Sequence, residues 1–207
     1  ALRQDCLMAN ITKTDALEVL ALQSVASNTV LISAVLDVST HLASTIFIHF
    51  GRRATAALTA GVIFRIEASS KASGDGHWYP LAVFQTATAL AETEAATGTN
   101  AAGQNVITMA STTNLTVADI IYLDNTTVAN GEFHRIKAVS ANVSITLEDN
   151  LTNAQNNPAA TIFDQAEMFV AQLDLTAIKR LRLVVDADNT GQAVAVESHM
   201  VRGDSIG

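Results

Sequence analysis

The chain has 207 residues, of which 49% are hydrophobic and only 15% are charged, and its formal net charge is −8. Typical soluble domains carry about 25% charged residues, so we expect few charged faces and a surface partly covered by partners. An acidic chain repels phosphate backbones, which argues against nucleic-acid binding, and the single cysteine, Cys6, rules out a disulfide or a cysteine-based metal site within this sequence.

The first residues show neither an export signal nor a membrane signal. Residues 1–7 lack the apolar core of a signal peptide, and no apolar run approaches the roughly 18 residues that a membrane-spanning helix requires. Met8 follows at once, so we expect the natural start there, with residues 1–7 either non-native or read from an upstream start. The pattern predicts synthesis in the cytoplasm and no association with a membrane.

Residues 1–28 are predicted to form an N-terminal arm. Thr14 could cap a short helix, with Asp15 and Glu18 in its first turn. The apolar residues from Leu17 onward follow the helical period poorly. A short helix and an extended arm that packs on a neighbouring subunit therefore both stay open.

From residue 29 the pattern changes to alternating apolar and polar residues, which is typical of half-buried β-strands. Pro80 places its strand at a sheet edge or makes this position a strand start. About seven strands suit a sandwich domain. We predict an all-β chain with a jelly-roll or immunoglobulin-like β-sandwich built from residues 29–86 and 167–201, followed by a C-terminal tail at 202–207. The predicted strands are 30–38, 44–50, 61–68, 78–84, 168–175, 180–186 and 193–198.

The sandwich is predicted to be interrupted by a small inserted domain. Residues 87–103 form an Ala- and Thr-rich linker, and a second low-complexity stretch lies at 153–158. Between them are four short alternating segments separated by polar turns, which favour a small β-barrel-like domain or a meander over 104–163. The predicted strands of this insertion are 105–109, 119–123, 132–139 and 143–147.

One segment nearly matches a calcium-binding loop. Asp186, Asp188 and Thr190 stand at the first, third and fifth positions, Gly191 at the sixth and Glu197 at the twelfth. Threonine is a weak ligand at the fifth position, and the flanking segments are strands instead of helices. Asp, Asn and Gly also favour a tight hairpin turn. We therefore predict a turn here, with no metal and no cofactor.

The histidines and the search for catalytic motifs point away from an enzyme. No pair of histidines has metal-ligand spacing, and His49 and His134 lie on predicted strands with apolar neighbours, where half-buried histidines are common. The sequence contains no nucleophile elbow, phosphate loop or dinucleotide fingerprint. The Arg202-Gly203-Asp204 tripeptide matches the integrin-binding motif in the predicted tail, where chance explains it.

Trp78 and Tyr79 are the candidate ligand or partner residues. They follow a Gly-rich turn, and exposed aromatic rings could stack on sugars. A lone tryptophan in a sandwich is more often a core anchor, and we favour that interpretation for Trp78. The basic cluster of Lys179, Arg180 and Arg182 places its two arginines on one face of a strand, which is typical of a solvated edge.

Segments of the insertion resemble a recurrent pattern in structural proteins of tailed bacteriophages. In that pattern a Gly-Asp-x-Ile-x-Ile strand, a Glu-x-x-x-Val strand and a Val-Thr-Leu strand form a small β module, and here Ala118 replaces the usual glycine. The sandwich segments are similar in character to head decoration proteins. The resemblance implies a structural role in the virion and carries over no functional residue. The matching segments are Val117–Asp124, Glu132–Val139, Val143–Leu147 and Leu151.

We therefore expect a non-enzymatic virion component: a capsid decoration or stabilisation protein that binds the outer capsid surface. Its expected partners are the major capsid protein or other virion proteins. The alternative is a carbohydrate- or surface-binding module of a tail, fibre or bacterial surface, with Trp78 and Tyr79 as its platform. Low charge and exposed edge strands indicate a homo-oligomer, and a trimer is the expected form because capsids often present local threefold sites.

Overall fold

The computed structural model describes residues 11–13, 16–53, 57–74, 77–88, 93–97, 100–155, 161–163 and 166–205. These residues form sixteen β-strands and one short 3-10 helix at Val128–Asn130, in line with the predicted all-β class. The first seven strands are β1 (Ile11–Lys13), β2 (Leu17–Val25), β3 (Val30–Ile32), β4 (Leu36–Asp37), β5 (Ala43–Arg52), β6 (Ile63–Ser69) and β7 (Tyr79–Gln85). The next six are β8 (Thr93–Ala95), β9 (Val106–Thr108), β10 (Ile120–Leu123), β11 (Glu132–Ser140), β12 (Ser144–Leu147) and β13 (Thr161–Phe163). The last three are β14 (Glu167–Asp174), β15 (Arg180–Asp186) and β16 (Val194–Ser205).

Two five-stranded antiparallel sheets form the sandwich. In sheet 1, β16 lies in the centre, with β2 and β1 on one side and β5 followed by β14 on the other. In sheet 2, β15 holds the central position, with β3 and β4 on one side and β6 followed by β7 on the other. Pro80 thus lies on an edge strand, as predicted.

One hydrophobic core fills the space between the two sheets. Alternate residues of β5, β6, β15 and β16 point inward, as a period of two requires, and each fully buried aliphatic or aromatic side chain contributes about 1.5–3 kcal/mol. A row of phenylalanines crosses the core between the sheets, from Phe50 to Phe64, then Phe169 and Phe84, with ring centroids 5.3–6.1 Å apart. Residues before and after the insertion share this core, which confirms the predicted interrupted sandwich.

The insertion forms a six-stranded sheet in the order β8-β13-β10-β11-β12-β9. A β-bridge between Ala96 and Met109, next to the two outermost strands, closes this sheet on itself, so we call it the inserted barrel. It has its own core of side chains that are at most 4% exposed. These include Ile107, Met109, Leu115, Ile121, Leu123, Ile136, Ile145, Leu147 and Leu151. That the barrel and the sandwich are separate domains stays a prediction.

The strand count of the sandwich is higher than the seven predicted. The predicted strand 30–38 divides into β3 and β4, and β1 and β2 come from the predicted arm. In the insertion, β8 lies within the predicted linker 87–103, and β13 follows the second low-complexity stretch. These two strands have three residues each, too few for an alternating pattern, and they pair across more than sixty residues of sequence.

The N-terminal segment is part of sheet 1, in place of the predicted helix or detached arm. β2 pairs with Val194–Met200 of β16 in the same chain. Two register shifts interrupt this pairing, and Val19 and Leu20 are buried side by side. Such irregularities break the two-residue period, which explains why the sequence pattern misses this strand. Thr14, Asp15 and residues 1–10, which include Cys6 and Met8, lie outside the described residues.

The predicted C-terminal tail is also wrong over residues 202–205. These residues continue β16, where they pair with Ala43–Ser44 of β5 and with β1. Gly203 is buried, and Arg202 and Asp204 both contact the His41 ring: Arg202 Nη1 donates to Nε2 at 2.9 Å, and Nδ1 pairs with the Asp204 carboxylate. The Arg-Gly-Asp tripeptide therefore lies in a central strand and not in an exposed tail.

Candidate partner-binding surface

The outer face of sheet 2 carries a row of ion pairs. Arg65 on β6 pairs with Asp186 at 3.0 Å, and Arg182 on β15 pairs with Glu67 at 2.6 Å. Arg65 Nε lies 3.7 Å from the same Glu67 carboxylate, so the four side chains form one connected network of ion pairs. Because β15 is the central strand, its arginines do not mark a sheet edge, contrary to the sequence prediction.

Trp78 lies on this outer face and not in the core. Its ring centroid is 4.9 Å from the guanidinium carbon of Arg180 and 4.3 Å from that of Arg182. Each such cation–π contact contributes about 0.5–1 kcal/mol at an exposed site. Phe64, Phe84 and Phe169 already fill the adjoining interior. The prediction that Trp78 anchors the core is therefore wrong, although the ring is half-buried by the arginines.

Arg180 also fixes the neighbouring loop. Its Nε donates to the Lys71 carbonyl oxygen and its Nη2 to the Gly74 carbonyl oxygen, both at 2.7 Å. Lys179 lies beside this loop, since its backbone N–H donates to Ser69 O at 2.9 Å, and both Lys71 and Lys179 are exposed. We call the resulting group the basic corner; it consists of Lys71, Trp78, Lys179, Arg180 and Arg182.

An exposed apolar row continues from the basic corner along β7. Tyr79, Leu81 and Val83 are 61%, 44% and 57% exposed. Leu81 and Val83 flank Ala82, which packs against the core, so both point away from it. A β-bulge then shifts the register, and Tyr79 pairs with the core residue Ala68 instead of continuing this alternation. We call Leu81 and Val83 the apolar row. Val83 lies beside Arg65 in the sheet register, so the row borders the ion pairs directly.

The structure does not bring the four residues of the candidate calcium loop together. Asp186 ends β15 on the outer face of sheet 2, whereas Glu197 lies on the outer face of sheet 1, where it pairs with His49 at 3.1 Å. Thr190 is fully buried, and its hydroxyl donates to Ala187 O at 3.0 Å.

The same segment forms the tight turn that its Asp, Asn and Gly residues favour. Asn189 and Gly191 have φ values of 57° and 75°, and the Asp188 N–H donates to the Asp186 carboxylate at 3.2 Å. Within the described residues, no group of three or more His, Cys, Asp or Glu side chains could hold a metal ion.

His49 and His134 do converge, on a cavity of about 170 Å³ between the sandwich and the inserted barrel. Each ring is paired with a carboxylate: His49 with Glu197 at 3.1 Å and His134 with Glu132 at 3.0 Å. The His49 ring also stacks on Phe133 of the barrel at 5.3 Å. His134 is hydrogen-bonded to Glu132, whereas the buried His49 Nδ1 forms no hydrogen bond with any described residue despite its ion pair with Glu197. Both histidines lie where the sandwich meets the barrel.

The junction of sandwich and barrel depends on residues that the sequence analysis did not select. Tyr122 of β10 is fully buried and packs on Ala195 of sheet 1. The backbones of Gly51 and Gly131 lie against its ring, close enough that a side chain at either position would overlap it. Burial raises the pKa of the Tyr122 phenol. The pairing of Arg53 with Asp124 at 2.9 Å adds a further link.

A buried arginine lies where the chain leaves and re-enters the sandwich. Arg52 is 1% exposed and donates to the carbonyl oxygens of Ala87 at 2.7 Å and Thr88 at 3.4 Å. Glu167, the first residue of β14, accepts a bond from the Ala87 N–H at 3.4 Å. Burial lowers the pKa of Arg52 and raises that of Glu167. These contacts hold the two ends of the insertion side by side.

A second buried network surrounds Glu132 in the barrel. Its carboxylate accepts bonds from the N–H groups of Thr152 at 2.9 Å and Asn153 at 2.6 Å, and from Gln155 Nε2 at 3.3 Å. Burial would raise the pKa of Glu132, but the bonds from His134 and from the two backbone N–H groups outweigh it and hold the pKa below its usual value. The charged carboxylate of Glu132 therefore holds the 152–155 turn in place.

Comparison with known proteins finds a distant likeness in structure. No protein-family model matches the chain, and no curated protein matches it either. A solved structure, VP17, a capsid protein of bacteriophage P23-77, aligns over 95% of this chain and 100% of its own chain, with 10% identity and a TM-score of 0.22. A TM-score this low carries no argument about the fold or the function of the present chain. Within its described part, the chain has no helix with the length and hydropathy of a membrane span.

Proposed function

We propose that this protein is a structural component of a tailed-phage particle and that it binds the outer capsid surface as a decoration or stabilisation protein. The proposal rests on a binding role, because a sandwich of this kind can act through surface complementarity alone. The resemblance of the segments that form β10, β11 and β12 to a module of phage structural proteins supports the virion as the site of action.

The observation that carries the proposal is the outer face of sheet 2. The two large side chains of the apolar row are more than 40% exposed there. Contiguous exposed apolar groups bordered by polar residues are typical of interaction sites. Val30 and Ile32, at 52% and 49% exposure, extend the apolar surface along the opposite edge of the same sheet.

The test is co-sedimentation of the purified protein with capsids of the phage that encodes it. We expect saturable binding to capsids, with density for the protein on their outer surface by electron microscopy. The replacement Leu81→Asn should weaken binding, whereas Val143→Asn, at a 56% exposed position of the barrel, is the matched control. Absence of binding by the unaltered chain would reject the proposal.

The second candidate is a carbohydrate- or surface-binding module. The 61% exposure of Tyr79, next to Trp78 in the sequence, favours it, because an exposed aromatic ring could contact a sugar ring. Arg180 and Arg182 already cover part of Trp78, which limits the surface available for stacking. Glycan-array binding that Trp78→Ala abolishes would favour this candidate over the first.

We further propose that the protein assembles as a homo-oligomer, with a trimer as the expected form. The exposed residues Met168 and Val170 on β14, an edge strand of sheet 1, provide a surface for a second copy. Light scattering at micromolar concentration measures the assembly directly. A monomer at every concentration tested would reject this part of the proposal.

A further inference from the structure

We infer that the basic corner and the apolar row form one docking surface, and that its partner is an acidic protein surface with apolar groups beside its carboxylates. The inference rests on the proposed function, since it specifies the chemistry of the capsid surface to which this protein would bind.

The charge distribution is the first argument. The chain has 12 Lys and Arg residues against 20 Asp and Glu residues, yet Lys71, Lys179, Arg180 and Arg182 lie together. Two carboxylates stand among these four cations in the described part of the chain: Glu67, paired with Arg182, and Asp37, opposite Arg180 in the sheet register. A local excess of positive charge on an acidic protein attracts and orients an acidic partner.

The second argument is that the arginines are held in place before any partner arrives. Arg180 makes two bonds of 2.7 Å to the 71–74 loop, and Arg182 Nε donates to Glu67 at 2.7 Å. The Trp78 ring packs against both guanidinium groups. Ordering a free side chain at an interface costs about 0.5–1.5 kcal/mol, and here that cost has largely been met by folding. Trp, Tyr and Arg are also the residue types that dominate binding energy at interfaces.

The third argument distinguishes a protein partner from a polyanion. The apolar row borders the ion pairs of the same sheet face, and a nucleic acid or acidic polysaccharide offers little to cover Leu81 and Val83. The net charge of −8 also repels an extended polyanion. Pro80 lacks the N–H that strand pairing needs, so the partner is expected to lie on the sheet face and not to add a strand to β7.

The experiment measures binding to purified capsids of the encoding phage with the full chain. The double variant Lys71→Glu, Lys179→Glu changes two exposed cations, and Lys137→Glu, Arg135→Glu applies the same charge change to exposed residues of the barrel. We expect the first variant to lose about tenfold or more in affinity and to show a weaker dependence on salt, because rim charges govern steering. At the same salt concentration, the affinity of the barrel variant should lie within about twofold of that of the unaltered chain.

The outcomes distinguish failure of the docking inference alone from failure of the proposed function. If the unaltered chain binds capsids and the corner variant binds equally well, the docking inference is wrong and the decoration function stands. If the chain does not bind capsids, both fail. Binding to heparin or single-stranded DNA that requires Lys71 and Lys179, without capsid binding, would replace the protein partner by a polyanion. A thermal melt of each variant, expected to match that of the unaltered chain, shows that the fold is retained.

Discussion

Replacing Gly131 by alanine tests whether Tyr122 is held in a slot between sandwich and barrel. Gly131 has φ −68° and ψ 157°, a conformation that any residue adopts, so alanine introduces no backbone strain. A Cβ at this position would lie 2.9 Å from Cζ and 3.0 Å from Cε2 of Tyr122, and nearer still to its hydroxyl oxygen. Tyr122 is fully buried and Gly51 lies against the base of its ring, so the ring has no room to move away.

We expect Gly131→Ala to lower the free energy of unfolding by about 1–3 kcal/mol, the usual cost of overpacking a well-packed interior. Tyr122→Leu removes all three atoms that the new methyl group would meet. In that background the same substitution should be neutral, or stabilising by about 0.4–1 kcal/mol, because alanine reduces the freedom of the unfolded chain.

Urea unfolding of the four chains in this double-mutant cycle measures the coupling between positions 131 and 122. The cost of Tyr122→Leu by itself cancels in the cycle. A coupling energy of about 1.5 kcal/mol or more is expected from the overlap. If Gly131→Ala is equally destabilising with tyrosine or leucine at position 122, the steric reasoning is wrong.

Three further predictions concern stability. The pKa of Glu132 is lower in the folded state, so its contribution to folding stability is complete above its ordinary pKa of 4.5 and is lost as pH falls below that value. Glu132→Gln should therefore flatten the pH dependence of the free energy of unfolding in this acidic range. Arg52→Ala should cost about 1.5–3 kcal/mol in urea unfolding, because bonds to a charged group are lost, whereas exposed Arg135→Ala should change stability by less than about 0.5 kcal/mol. Phe64→Ala should lower stability by about 3–5 kcal/mol, because Phe64 is fully buried, and exposed Val143→Ala by under about 0.5 kcal/mol in the same assay; equal losses for the two would contradict the assigned core.

The sandwich could be predicted from the sequence wherever one sheet face is buried along a regular strand. β5 and β6 alternate over most of their length because each has one face in the core and one outside. β2 could not be predicted this way, since its bulged pairing with β16 buries Val19 and Leu20 in succession. Strand pairing far along the chain decided its structure, and local periodicity contains no information about that pairing.

The candidate surface was predictable only in part. Alternation placed Arg180 and Arg182 on one face correctly, since both contact the Trp78 ring. The position of Trp78 depended on whether aromatic or cationic groups would surround it, which composition does not decide. The sequence also contained no indication that Arg52 is buried, because an arginine at a strand end is usually solvated. Its guanidinium group is buried because it donates hydrogen bonds to two backbone carbonyl groups that lie beside it only in the folded chain.

The central place of β16 in sheet 1 bears on the order of events during synthesis. β16 follows every other described strand, yet β1, β2 and β5 all depend on it for hydrogen bonds. The six strands of the barrel find their partners between residues 93 and 163, well before β16 leaves the ribosome. Until β16 is synthesised, the strand edges of β2 and β5 that pair with it stay unpaired, and unpaired strand edges promote association with other chains. A nascent chain stopped before residue 194 should accordingly be insoluble or bound to chaperones, while release of a dozen more residues lets the sheet close.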